Sequence, residues 1–189
     1  MTIRKLFFLF WTTFAVGIVT APIAALLLQT FFGPIGLNIK QELWAGVLYG
    51  AIAQMGFFAY LVFNMIAIGF IRNSRLYQGL QLILVIGILV KVGTGDFGEP
   101  GYSGLILPLT VLGISLVVAY FKMKATNPNG FIPALFFMVA ATMLEAIPSL
   151  EQQSLEMIML MVLTLLACNT WQVMQLHRLV ESKATEAAR

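Results

Sequence analysis

From Leu6 to Ile39 the chain carries no charged side chain, and from Leu43 to Ile71 it again carries none. A helix needs about 20 apolar residues to cross a hydrocarbon core about 30 Å thick, rising about 1.5 Å per residue. Each run is long enough to span a bilayer with residues left for its flanks. Composition excludes the alternative of an ordinary soluble domain, since 60% of the 189 residues are hydrophobic and only 10% are charged, with a mean hydropathy of +0.92.

Four further runs follow. Leu76 to Val90 lies between Arg75 and Lys91 and is short. It spans if Lys91 snorkels outward and the helix continues a further turn. Gly104 to Phe121 makes a fourth run, Phe131 to Leu150 a fifth interrupted by Glu145 and Pro148, and Met157 to Leu176 a sixth. The sequence therefore predicts an all-α polytopic membrane protein with one integral membrane domain. It is a six-helix bundle with spans near 6–32, 44–71, 76–95, 103–121, 131–150 and 156–177, and a frayed polar tail over 181–189. Arg4 and Lys5 precede an apolar run as in a secretory signal. A cleavable core has about 7–15 apolar residues, whereas this run continues through Leu28 and Phe32, so an uncleaved first helix is expected.

With six spans both termini share a side, and the basic residues then sort strongly. Arg4, Lys5, Arg72, Arg75, Lys122, Lys124, Arg178, Lys183 and Arg189 fall on the terminal side, against Lys40 and Lys91 on the other. Short loops rich in Lys and Arg stay in the cytoplasm, which puts both termini there and the protein in the cytoplasmic membrane. The acids sort oppositely: Glu42, Asp96, Glu99, Glu151 and Glu156 are external, Glu181 and Glu186 internal, and Glu145 intramembrane. The basic excess that sets the sequence pI near 9.2 thus lies on the terminal side. Eleven basic against eight acidic residues are too few for a nucleic-acid surface, and no nucleic-acid partner is expected.

The loops are too short to hold a folded domain, so function must sit among the helices. The Asn127-Pro128-Asn129-Gly130 turn and the Arg72-Asn73-Ser74-Arg75 hairpin are built as tight connections, and no internal repeat is evident. The external loop from Gly93 to Gly101 lacks the strand and helix context of a dinucleotide site. Its two carboxylates fall short of the six or more oxygens calcium prefers, so a flexible hairpin is the better reading. Cys168 is alone and reads as a small buried residue. No metal, cofactor or catalytic set is expected, because lone His177 and Glu145 belong near opposite membrane faces.

Glu145 is the one acid within a span, about 21 Å along its helix from Phe131. Such a group is costly unless protonated, paired or facing water. A ligand, proton or partner role and a structural hydrogen bond are equally weighted readings. Gly46, Gly50 and Gln54 share a face of the second helix, with Asn64 further along. Asn169, Gln172 and Gln175 or Leu176 fall near one face of the sixth, giving a second amide stripe. Small residues permit close backbone approach, and amides in lipid seek partners across helices. Packing within the bundle is weighted somewhat above contact with another membrane protein.

Four blocks then carry a resemblance: Ala53-Gln54-Met55-Gly56-Phe57-Phe58-Ala59-Tyr60-Leu61, Val118-Ala119-Tyr120-Phe121-Lys122, Pro133-Ala134-Leu135-Phe136-Phe137-Met138-Val139, and Cys168-Asn169 through Leu176-His177-Arg178. In this order they resemble the KinB-signalling pathway activation family, KbaA. The resemblance implies a small inner-membrane protein of endospore-forming bacteria that promotes activation of a membrane sensor histidine kinase, KinB, upstream of the sporulation phosphorelay. It implies no enzymatic activity. Gln54, Tyr60, Asn169, Gln172 and His177 fall in the matching blocks and are candidates for contact with the kinase, with Glu145 added on physical grounds. The alternative is a small transporter or ligand-sensing protein in which Glu145 and the helix-six amides line a cavity.

The topology is checked by cysteine labelling in a Cys168→Ser background. A cysteine at Ser74 should resist an impermeant reagent in intact cells while one at Ser103 reacts; equal labelling of both defeats the six-span arrangement.

Overall fold

The computed structural model describes residues 3–33, 35–71, 73–94, 103–150 and 155–186, with side chains except at 3, 103–104, 147–150 and 177–186. Hydrocarbon offers no water to pair backbone N–H and C=O groups, so a spanning segment must satisfy them internally. The described residues accordingly form α1 (Ile3–Phe32), α2 (Ile39–Phe70), α3 (Ser74–Thr94), α4 (Ser103–Ala125), a 3₁₀ turn (Pro128–Gly130), α5 (Phe131–Leu150) and α6 (Leu155–Glu186), with no strand among them. Six of these helices are long and apolar enough to cross a membrane. The loop from Gly93 to Gly101, apart from its first two residues, lies outside the described residues.

Local chemistry sets the ends. Gly33 follows α1 with φ of 89° and its N–H bonded to Gln29 O at 3.1 Å, a left-handed exit that glycine adopts without penalty. Asn38 starts α2 with a capping box. Its side chain accepts from Gln41 N at 3.0 Å, while Gln41 Oε1 accepts from Asn38 N at 3.0 Å. This cap begins α2 at Ile39 rather than near residue 44, and takes Lys40 and Glu42 into the first turn, where the acid suits the helix dipole. Asn73 Oδ1 accepts from Arg75 N at 3.0 Å at the start of α3. α5 runs to Leu150 without a break at Pro148. α6 runs through Glu186, so the segment from Glu181 is helical over residues 181–186 rather than frayed. Glu181, Lys183 and Ala184 are good helix formers, and a helix need not stop where the hydrocarbon does.

α5 and α6 form the centre. In their spanning windows 67% of residues are buried, against 22%, 17% and 22% for α1, α2 and α3. Around them the other helices turn apolar side chains outward, Trp11, Trp44, Met55, Met65 and Ile83 among them. In a bilayer these face lipid, which is as apolar as the side chains themselves. The tightest helix pair is α1 with α2. A Cβ placed on Gly46 would lie 2.8 Å from Gly17 C and 2.9 Å from Ile18 Cα, and one on Gly50 would lie 3.3 Å from Phe14 Cα. Only glycine lets the two backbones approach this closely.

Gly46→Ala should lower stability in detergent by about 1–3 kcal/mol, because neither backbone can yield cheaply. Gly87→Ala, on α3 where a Cβ meets nothing within 4 Å, should be neutral or stabilising by about 0.5–1 kcal/mol. Thermal unfolding of both variants checks the contrast; equal shifts would remove the close contact from the account.

Candidate functional site: an intramembrane carboxyl at the head of an apolar groove

Thr142 and Glu145 lie one turn apart on α5 and so present to the same side. That side meets α6 at Asn169, whose Nδ2 donates to Thr142 Oγ1 at 3.1 Å and to Glu145 Oε2 at 3.0 Å. All three are enclosed, Thr142 and Asn169 completely and Glu145 with 8% of its surface exposed. The amide therefore supplies both of its protons to a carboxyl and a hydroxyl that water cannot reach. Glu145 Oε1 and Asn169 Oδ1 are buried without a hydrogen-bond partner.

The third wall is α2. Glu145 Oε1 rests against Gly56, in the space that any larger residue's Cβ would occupy. Beside this contact a groove of about 730 Å³ opens between α2, α3 and α5. Met55, Ala59 and Phe63 line it from α2, Leu84 and Ile88 from α3, and Phe136, Ala140 and Leu144 from α5, with Glu145 as its one carboxylate. The groove exists because α2 and α3, though consecutive, meet little. A hydrogen bond from Tyr77 Oη to Asn64 Oδ1, 2.7 Å, ties them near their connection.

The remaining sequence candidates are placed as follows. Gln54, 2% exposed, donates to Leu9 O at 3.2 Å and Phe10 O at 3.4 Å, joining α2 to α1. Tyr60 Oη reaches Pro133 O at 3.5 Å, and its ring sits 4.7 Å from that of Phe137. Gln172 is fully buried, with both ends of its amide unpaired. Gly46 and Gly50 face α1. His177 lies on α6, with its side chain outside those described. The structure thus brings Glu145 and Asn169 together. It does not bring Gln172 into the groove, whose lining includes no α6 amide, so a cavity walled by Glu145 and the helix-six amides is not this groove.

Thr142 and Gly56 are absent from the sequence candidates. Thr142 carried a usable signal, the three-residue spacing from Glu145. Gly56 carried none, because only the packing of α5 on α2 gives it a neighbour. Cys168 and Trp171 also matter to assembly, bonding from α6 to Thr13 O at 3.8 Å and Thr12 Oγ1 at 3.0 Å on α1.

Asn169→Ala should destabilise the protein by about 1–3 kcal/mol by leaving a buried acceptor unpaired. Gly56→Ala should also destabilise it. Its penalty should shrink by at least about 0.5 kcal/mol in a Glu145→Ala background, where the displaced carboxyl is gone. Unfolding of the single and double variants in detergent measures the coupling; strict additivity would separate Gly56 from Glu145.

Comparison with known proteins gives the chain its kin. It is 34% identical over 139 residues, 70% of each chain, to the KinB-signaling pathway activation protein of Bacillus subtilis (strain 168). No solved structure matches it. The family model for KinB-signalling pathway activation in sporulation matches residues 7–179, from α1 well into α6, and the chain belongs to this family, KbaA.

Proposed function

We propose that this chain is a non-enzymatic accessory protein of the cytoplasmic membrane, with both termini cytoplasmic. It promotes activation of a KinB-type sensor histidine kinase feeding the sporulation phosphorelay, through contacts between transmembrane helices. The observation that carries this reading is the family match over residues 7–179, with a relative described as a KinB-signaling pathway activation protein.

The geometry favours one division of labour. Gln54, Asn169 and Glu145 are enclosed and tie helices of this chain to one another, so they fix the bundle's shape rather than touch a partner. The outward faces of α1, α2 and α3 are the surfaces open to a kinase's membrane helices. Such a contact activates only by binding one arrangement of the kinase's signalling helices more tightly than the other. A second reading, a ligand-sensing membrane protein, is favoured by the groove that Glu145 heads.

The test is sporulation-phosphorelay reporter output in a deletion strain with the kinase as sole input. Output should fall on deletion and return with the wild-type chain. At matched expression, Gln54→Ala, Glu145→Gln and Asn169→Ala should restore it only partly. Unchanged output on deletion overturns the activator reading.

A further inference from the structure

We propose that a second groove, on the outward side of the α1–α2 pair, holds an anionic phospholipid, with its phosphate at Lys40 and the first turn of α2 and one acyl chain in the groove beneath. The proposal is independent of kinase activation and of the groove that Glu145 heads.

Lys40, Leu43, Trp44 and Val47 follow one another at spacings of three, four and seven from the first, which puts them on one face of α2. With Ile18 of α1 they line a groove of about 280 Å³. Its deep end lies against the place where the two helices touch, since a Cβ on Gly46 would meet Ile18 Cα at 2.9 Å. Its other end is the start of α2. The groove therefore runs inward from the membrane surface, with its one charge outermost and Leu43, Trp44, Val47 and Ile18 below. Lys40 precedes the charge-free run from Leu43 to Ile71, and Trp44, 68% exposed and one turn further in, is a residue type enriched at the level of the headgroups. With both termini cytoplasmic, as proposed above, this is the outer leaflet.

The head of the groove is a set of donors without acceptors. Lys40 has no ionic partner among the described residues. The capping box engages Gln41 N, and Glu42 N bonds to Asn38 O, so the N–H groups of Ile39 and Lys40 are those the helix end leaves open. A helix N-terminus carries partial positive charge, and with a lysine in its first turn it selects an anion. Glu42, the acid of the same turn, lies about 200° round the helix from Lys40 and is buried, so it sets no negative charge beside the head. A zwitterionic headgroup would bring its own ammonium toward Lys40, which favours a lipid whose net charge is negative.

Size selects a chain rather than a helix. Along α2 the lining from Lys40 to Val47 covers about 10 Å, most of one leaflet's half of a hydrocarbon core about 30 Å thick. A partner's transmembrane helix, about 10–12 Å wide, would ride over so small a groove and meet it along about a third of its crossing. A free phosphate would use the head and leave the apolar walls uncovered.

The full-length protein in detergent is mixed with phosphatidylglycerol and phosphatidylethanolamine of identical chains, retained lipid is counted by native mass spectrometry, and thermal unfolding is followed in parallel. The protein should retain phosphatidylglycerol saturably, about tenfold more tightly than phosphatidylethanolamine, and its melting temperature should rise with that binding. Lys40→Gln should weaken the binding about tenfold, while Lys40→Arg should keep it. Lys91→Gln, which removes the other lysine of the same membrane face, should leave it unchanged. Leu43→Trp, which fills the groove from a partly exposed position, should weaken it while the lipid-free melting temperature stays near wild type. Glycerol phosphate, a head without chains, should leave the melting temperature unmoved.

Equal retention of the two lipids, or equal losses in Lys40→Gln and Lys91→Gln, overturns the site. Unchanged binding in Leu43→Trp overturns the chain's seat in the groove. Stabilisation by glycerol phosphate equal to that by the lipid replaces the lipid with a soluble anion. A photocrosslinker at Leu43 that captures another protein's helix in native membranes, and no lipid, replaces it with that helix. None of these outcomes touches the activator reading, which the reporter assay tests separately.

Discussion

Apolar side chains gain almost nothing by leaving lipid for one another, so the helices of this bundle must be held by closer means. Two are visible. One is direct backbone approach, which Gly17, Gly46 and Gly50 allow between α1 and α2. The other is hydrogen bonding between groups that hydrocarbon cannot satisfy. Gln54 reaches α1 from α2, and Trp171 and Cys168 reach α1 from α6. Asn169 and Glu145 join α6 to α5, and Tyr77 and Asn64 join α3 to α2. Each pin crosses between helices and sits among apolar packing that does not choose a register by itself. The polar groups are therefore the part of the sequence that selects one arrangement of six otherwise greasy rods.

This explains why some of the structure was legible in the sequence and some was not. Helix number follows from runs without charge, because the cost of charge in hydrocarbon is a property of each residue alone. The same local logic identifies Glu145, Gln54 and Asn169 as groups in need of partners. Which partner each finds depends on packing. Asn169 is 24 residues from Glu145, and Gln54 bonds to carbonyls 44 and 45 residues away, separations at which no spacing rule operates. The groove is less legible still, since it is made by what α2 and α3 fail to fill. The start of α2 at Ile39 is set by the Asn38 and Gln41 cap, a signal in the sequence that the charges of Lys40 and Glu42 beside it mask.

Centre and periphery also differ in what they can contribute to signalling. α5 carries small residues on its enclosed faces, Ala134, Ala140, Ala141 and Ala146, which let it sit against several neighbours at once. A change at Glu145 is felt on α6 through Asn169 and on α2 through Gly56, so the carboxyl stands where three helices can exchange strain. The α1–α2 pair, locked by backbone contact, can respond only as one body. α3, bound to α2 by little more than one hydrogen bond near their connection, is free of that constraint.

The 32 residues of α6 amount to about 48 Å of continuous helix, well beyond a hydrocarbon core of about 30 Å. Asn169 grips this rod near its middle, with 17 residues, about 25 Å, between the grip and Glu186. Pivoting about that point by some 10° would carry the far end through about 4 Å. A helix continued without a break beyond the length of a hydrocarbon core has the form of a lever arm: a small adjustment among its buried side chains would emerge at the far end as a displacement on the scale of a side chain.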